Sequence, residues 1–149
     1  MTDVFEPSSG DGPAVDAAGR AAEVRTAYEG LLQIRRLSAA GAPDPEAVPA
    51  PWETHRMARA VALALEAAGV PPSAAAADGT RTATGYRVQD GERPRTVRVE
   101  WLGPPGSGAA HEEDARLREC AAVLTRLGWE PLLYRGPRGR RFLEVEPGA

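Results

Sequence analysis

The sequence predicts an α+β fold: an N-terminal helix, then a two-layer domain with the element order α-β-β-α-β-β and a four-stranded antiparallel sheet. Three observations predict it. Apolar residues recur at helical spacing in three stretches, the hydrophobic period changes to two after the last two of them, and a turn rich in Gly, Pro and charged residues interrupts each period-two segment. Residues 53–102 and 111–146 are therefore interpreted as two similar helix-hairpin units, with both helices on one face of the sheet.

The first residues of the chain are predicted to be a disordered acidic tail. Residues 1–13 are rich in Asp, Glu, Pro, Ser and Gly, and Val4 and Phe5 are the only bulky apolar residues after Met1. Such a segment buries too little apolar surface to offset the entropy that is lost on ordering.

Residues 14–41 are predicted to form an amphipathic helix. Tyr28, Leu31 and Leu32 share one face at three- and four-residue spacing, and Gly41 stands where a helix commonly ends. The helix must pack to be stable, either on the domain that follows or on a second copy of the chain. Its three apolar residues are therefore candidate oligomer contacts, and a homodimer is one expectation.

Residues 42–51 are predicted to be an extended linker, because their closely spaced prolines exclude a helix and favour polyproline geometry. The α+β core domain is expected to span residues 52–147. Its first helix begins near Pro51 and ends at Gly69, and a loose connection over residues 71–79 leads to the first hairpin.

The first hairpin is predicted from alternating residues on both sides of an Asp-Gly turn, Asp90–Pro94. One face of this antiparallel pair is expected to be dry, and the other to carry Arg and Glu. The residues predicted to face the core are Tyr86, Val88, Val97, Val99 and Trp101.

The second unit is predicted to contain an amphipathic helix over Glu112–Leu127. A hairpin follows, with strands at residues 132–135 and 141–145 and a turn at Gly136–Gly139. The predicted buried stripe of the helix comprises Leu117, Cys120, Ala121, Leu124 and Leu127. Cys120 lies on this stripe, so it is interpreted as a buried small apolar residue and not as a reactive thiol.

Composition excludes several classes of protein. A single Cys excludes a disulfide within the chain, and with only two His it argues against a structural zinc site. The N-terminus lacks the basic and apolar regions of a signal peptide, and the longest apolar runs fall far short of the ~20 residues that span a bilayer. We therefore expect a cytoplasmic protein with no cofactor, no metal site and no membrane partner.

Charge and arginine content bear on nucleic-acid binding. The net charge of −3 argues against a general nucleic-acid binder. All 18 basic residues are Arg, which we attribute to the coding bias of a high-GC bacterial genome and which weakens any functional interpretation of a single Arg.

No motif of catalysis is present. The cluster His111–Asp114 resembles a ligand set, but successive helix positions point in different directions and chelate one metal poorly. The sequence therefore predicts no catalytic residue.

The second hairpin is the strongest candidate for binding, because its turn carries several Arg on a two-stranded ribbon. Such a ribbon can lie along a phosphate backbone, with tyrosines as stacking faces. The candidate interaction surface comprises Tyr86, Arg87, Tyr134, Arg135, Arg138, Arg140 and Arg141.

The predicted function is a non-catalytic protein-binding adaptor or regulatory module. The alternatives are a nucleic-acid-binding accessory factor that uses the Arg135–Arg141 hairpin and, third, a small-molecule enzyme. An adaptor is expected to expose an apolar patch, a nucleic-acid binder a continuous basic strip, and an enzyme a deep pocket with converging polar groups.

Overall fold

The computed structural model describes residues 5–148 and has the predicted α+β architecture. Four α-helices are formed among these residues, together with a four-stranded antiparallel sheet and a small two-stranded sheet. The elements are α1 (Arg20–Ser38), α2 (Pro51–His55), α3 (Met57–Ala67), β1 (Ala74–Ala75), β2 (Arg81–Ala83), β3 (Gly85–Asp90), β4 (Val97–Leu102), α4 (Ala109–Arg126), β5 (Trp129–Arg135) and β6 (Arg141–Pro147). None of the helices within residues 5–148 has both the length and the apolar character needed to cross a membrane.

The main sheet has the strand order β3-β4-β6-β5, and each neighbouring pair is antiparallel. Both predicted hairpins are present, and the central contact between them pairs Val97 with Val145. Because β6 lies between β4 and β5, the unit β4-α4-β5 is a split β-α-β arrangement. This order leaves β3 and β5 as the two edges.

The core lies between the sheet and the helices α3 and α4. The alternation predicted for the first hairpin is confirmed, since its five core-facing residues are all buried. Leu117, Cys120 and Leu124 of α4 are fully buried against the same face. Each buried Leu contributes about 1.5–3 kcal/mol to folding, so this stripe fixes α4 on the sheet.

Residues 5–13 lie along the β3 edge, although their composition predicts disorder. The backbone N–H of Val88 donates a hydrogen bond to the carbonyl of Ser9 at 2.8 Å. Backbone hydrogen bonds and ion pairs hold this segment. The prediction of disorder considered only the apolar surface that the segment could bury. The remainder of the predicted tail, residues 1–4, lies outside the described part of the chain.

Helix α1 packs on its own chain, which is the first of the two alternatives that the sequence left open. Leu31 and Leu32 are buried against Leu63 of α3, and Tyr28 is half-buried on the same cluster. The helix is also shorter than predicted. It begins at Arg20, directly after a glycine with φ of 72°.

The predicted linker, residues 42–51, is a packed part of the domain. Pro45–Ala47 form a turn of 3₁₀ helix, and Ala50 is fully buried. A guanidinium N–H of Arg35 donates to the carbonyl of Glu46 at 2.6 Å. The proline-rich composition predicts that the segment is stiff. It does not reveal that helix α1 packs against this segment.

Two further elements differ from the prediction. The first core helix is divided at Arg56, whose φ and ψ of −133° and 56° separate α2 from α3. The connection over residues 71–79 is not wholly loose, because Ala74–Ala75 pair with Arg81–Ala83.

Candidate interaction surface

The face of the sheet opposite α3 and α4 carries charged and apolar side chains in separate regions. Alternation along the strands places on it Arg87 and Gln89 of β3, Arg98 and Glu100 of β4, Glu130, Leu132 and Tyr134 of β5, and Phe142, Glu144 and Glu146 of β6. The β3 side is ionic, since Arg87 donates to Glu100 at 2.6 Å. The apolar side chains cluster on β5 and β6.

Two aromatic rings form the centre of the apolar region. The turn of the second hairpin places Tyr134 opposite Phe142, and their ring centroids are 5.7 Å apart at an interplanar angle of 26°. The guanidinium carbon of Arg98 lies 3.9 Å from the centroid of the Phe142 ring. Leu132 and Tyr134 remain 42% and 43% exposed. A stacked cluster of this kind is ordered before any partner arrives, which lowers the entropy cost of binding.

Strand β5 also has an open backbone edge. At the ends of the β5–β6 pair, the N–H of Gly136 donates to the Arg140 carbonyl at 2.6 Å and the N–H of Gly148 to the Gly128 carbonyl at 3.0 Å. Antiparallel pairs alternate between bonded and non-bonded positions. Even-numbered residues of β5 therefore bond to β6, and residues 131, 133 and 135 direct their backbone groups outward.

These features together define the β5 surface: the side chains of Arg98, Leu132, Tyr134 and Phe142, with the outward backbone of residues 131–135. Pro131 has no N–H, so between residues 131 and 135 the edge offers N–H donors at residues 133 and 135. A proline on an edge also limits pairing with identical strands. The edge therefore favours a segment whose backbone carbonyls lie opposite residues 133 and 135.

The predicted basic hairpin is only partly free. Arg140 Nε donates to a carboxylate oxygen of Glu113 at 2.7 Å, and the backbone N–H of Arg141 donates to the other oxygen at 2.9 Å. Glu113 is 2% exposed, so this contact fastens the hairpin turn to the start of α4. The sequence analysis considered Glu113 only as part of the cluster His111–Asp114, and it missed that this carboxylate is buried beneath the turn.

The carboxylate of Asp114 offsets a further part of the positive charge of the hairpin. Arg141 Nε lies 3.4 Å from one of its carboxylate oxygens. The hydrogen bond from Arg118 is the main reason that the pKa of Asp114 is lowered, and the charges of Arg118 and Arg141 add to it. Arg140 and Arg141 are therefore compensated, and exposed Arg135 and Arg138 form the basic end of the β5 surface.

The other two residues of the predicted surface lie elsewhere. Tyr86 is fully buried, and its hydroxyl donates to the Ser8 carbonyl at 2.8 Å, so it is not a stacking face. Burial raises the pKa of Tyr86 above its ordinary value. Arg87 is held by Glu100 at the β3 side, away from the hairpin turn. Of the predicted set, Tyr134 lies on the open face with Phe142, Leu132 and Arg98, and Arg138 lies at the turn. The alternation of β5 directs Arg135 to the opposite face of the strand.

The phenylalanine and leucine could have been found from the alternation of β5 and β6, because Leu132 and Tyr134 share parity and the turn pairs Tyr134 with Phe142. No signal within the sequence places Arg98 with them. Its position depends on the pairing of β4 with β6, two strands that are distant in sequence.

Three clefts within the described residues border α1 or one of the two histidines. One cleft of about 540 Å³ has a mostly apolar lining from α1, the residues before it and the loop after α3. His55 borders a polar cleft of about 500 Å³ beside the β3–β4 turn, whereas His111 borders one of about 370 Å³ at the start of α4. Cys120 is fully buried, and that burial raises the pKa of its thiol to about 12. Within residues 5–148, no three His, Cys, Asp or Glu side chains are grouped as a metal site would require.

No protein-family model, curated protein or solved structure matches this chain.

Proposed function

We propose that the chain is a non-catalytic protein-binding module that accepts an extended segment of another protein along the β5 surface. The observation that carries the proposal is the stacked pair of exposed Tyr134 and half-buried Phe142 beside an unpaired strand edge. Strand addition to a free sheet edge is a recurrent mode of peptide recognition, in which backbone bonds supply affinity and side-chain contacts supply specificity.

The chemistry of the partner segment follows from the surface. Leu132 and Tyr134 favour apolar side chains at alternate positions of the added strand, because successive residues of a strand point to opposite faces. Arg135 and Arg138 lie exposed at the turn and favour an acidic residue at that end of the strand. The occupant is therefore an extended, alternating apolar segment with a carboxylate near the hairpin turn.

Charge argues for protein over nucleic acid at this surface. Glu100, Glu130, Glu144 and Glu146 share the open face with only two Arg. Arg93 contacts both Glu144 and Glu146, and it brings one more positive charge to the face. A nucleic-acid strand that extended beyond the turn would bring its phosphates close to these carboxylates. Binding of a long nucleic-acid strand is therefore disfavoured.

Site-specific photo-crosslinking tests the proposal in the cells that make the protein. A photo-reactive amino acid at Leu132 should yield one crosslinked protein that survives nuclease treatment. The matched control is the same amino acid at Leu37, which is 75% exposed and belongs to α1 and not to the sheet. Equal protein crosslinks from both positions, or a crosslinked product from Leu132 that nuclease removes, would contradict the proposal.

A further inference from the structure

We infer that the β3 edge is a second binding site, specific for an acidic extended peptide of a partner protein, and that residues 5–12 of the chain occupy it as an intramolecular ligand. This inference is independent of the function proposed for the β5 surface, because it concerns the opposite edge of the sheet.

The segment is held through its backbone, as a bound peptide would be. Carbonyl oxygens of the segment accept hydrogen bonds from side chains or backbone groups of five elements or loops. The pairs are Phe5 with Arg59, Glu6 with Arg20, Ser8 with Tyr86, Ser9 with Val88, Gly10 with Arg81, and Gly12 with Ala75. Recognition of carbonyls does not depend on side-chain identity, so a segment from another chain can make the same bonds.

Arginines select for acidic residues at both ends of the site. Arg59 forms an ion pair with Glu6 at 2.6 Å. Arg81 contacts Asp11 at 2.6 Å, and Arg87 lies 3.5 Å from the same carboxylate. The two carboxylates are five residues apart in the sequence, and this spacing is the charge pattern that the site favours in a ligand.

A steric requirement lies between the two charges. Gly10 is buried with φ of 91°, and a Cβ atom at this position would lie 2.1 Å from the carbonyl oxygen of Tyr86. Only glycine fits both the left-handed conformation and this close approach. The ligand is therefore an extended acidic segment with a glycine directly before its second acid.

A register contact fixes where the ligand lies. The N–H of Ser8 donates to Glu66 at 2.9 Å, and Glu66 is itself held by Arg20 Nε at 2.7 Å. Glu66 stands at the end of α3, so this carboxylate links the docked segment to both α1 and α3.

The segment is attached in a way that permits exchange. Phe5 is its one large apolar side chain, and it packs half-buried against the cluster between α1 and α3. From Glu6 to Pro13 the segment has no other, and the side chains of Glu6 and Asp11 are 72% and 45% exposed. Exposed ion pairs hold weakly and are screened by salt. Residues 13–19 are exposed and connect the segment to α1, so a competing peptide must overcome an effective concentration on the order of millimolar.

The test uses the full chain and a fluorescent synthetic peptide of residues 5–13. In the variant Gly10→Val the chain's own segment should leave the edge, and fluorescence anisotropy should show peptide binding at least about 10-fold tighter than to the unchanged protein, as expected when a competing state is removed. Arg81→Gln with Arg87→Gln, added to Gly10→Val, should abolish this binding. A peptide that itself carries Gly10→Val should not bind.

The variant Asp11→Arg provides a second route, because it weakens docking by charge and not by shape. Circular dichroism establishes that each variant is folded before titration. Failure of the peptide to bind either folded variant would overturn the inference and leave residues 5–12 as an ordinary part of the fold. Tighter binding of a single-stranded oligonucleotide than of the peptide by Gly10→Val would also overturn it, since the arginines would then select phosphate.

Discussion

Arg35 and Glu53 form a buried bidentate ion pair that joins α1 to α2. Arg35 Nε lies 2.8 Å from one carboxylate oxygen and Nη2 lies 2.6 Å from the other, and the two side chains are 1% and 0% exposed. The remaining guanidinium nitrogen donates to the carbonyls of Glu46 and Leu127, both at 2.6 Å. One side chain therefore connects the N-terminal helix, the proline-rich segment and the end of α4, which explains why α1 packs on its own chain.

We expect Arg35→Met to lower the free energy of unfolding by about 3–5 kcal/mol, because the carboxylate of Glu53 would remain buried without its partner. Urea denaturation measures this loss. Arg36→Gln is the matched control, since the neighbouring pair of Arg36 and Glu46 is 44% and 46% exposed and is worth at most about 1 kcal/mol. Equal losses in the two variants would show that the buried pair does not hold α1.

Two glycines should respond to alanine in opposite directions. A Cβ at Gly30 in the middle of α1 meets no atom within 4 Å, so Gly30→Ala should stabilise the protein by about 0.5–1 kcal/mol through helix propensity. Gly128 has φ of 84°, and a Cβ there would lie 1.9 Å from the Ala47 carbonyl oxygen. Gly128→Ala should therefore destabilise by about 2 kcal/mol or more. Thermal unfolding of both variants checks the signs, and stabilisation by Gly128→Ala would refute the packing of residues 45–49 against the end of α4.

The docking of the hairpin turn on α4 should depend on Arg140 and not on Arg138. Arg140→Gln leaves the buried carboxylate of Glu113 without its charged partner, and we expect a loss of about 1–3 kcal/mol. Arg138 is exposed at the turn with φ of 63°, so Arg138→Gly should leave stability unchanged or raise it by up to about 1 kcal/mol. The same urea series measures both. A larger loss from Arg138→Gly than from Arg140→Gln would contradict the docking of the turn on Glu113.

Alkaline pH should destabilise the fold through Cys120. Burial raises the pKa of its thiol from 9.0 to about 12, so between these values the unfolded chain loses the proton while the folded chain keeps it. The stability that this group contributes is complete below pH 9 and falls as the pH rises toward 12. We expect a loss on the order of 1–2 kcal/mol between pH 9 and 10.5. In Cys120→Ser this slope should decrease, since serine does not titrate in this range, and an unchanged slope would assign the loss to other groups.

The fold was predictable from periodicity because its core is aliphatic and its strands alternate. The alternation of apolar and polar residues predicts the burial of Val97, Val99 and Trp101, and the turn residues predict the second hairpin. The docking of residues 5–13 and of the proline-rich segment was not predictable. It depends on arginines that donate hydrogen bonds to carbonyls far along the chain, such as Arg35 to Leu127 and Arg81 to Gly10.

The candidate surface was predictable only in part for the same reason. Tyr134, Arg135 and Arg138 follow from the hairpin alone. Arg140 and Arg141 are paired with acidic residues of α4, and this pairing follows only from the contact between the turn and the helix. Tyr86 was assigned both to the core face of the first hairpin and to the interaction surface. Its burial confirms the first assignment and rules out the second, and its hydroxyl donates to the carbonyl of Ser8.

Affinity capture with paired variants decides whether a protein partner binds the β5 surface. Tagged chain is purified from its source cells with nuclease at two salt concentrations, in parallel with Leu132→Glu and with the control Leu37→Glu, which alters an equally apolar but more exposed site on α1. We expect the unchanged chain and Leu37→Glu to retain the same protein at both salt concentrations and Leu132→Glu to lose it. Retention by Leu132→Glu, or a bound set that disappears with nuclease from all three, would contradict the claim.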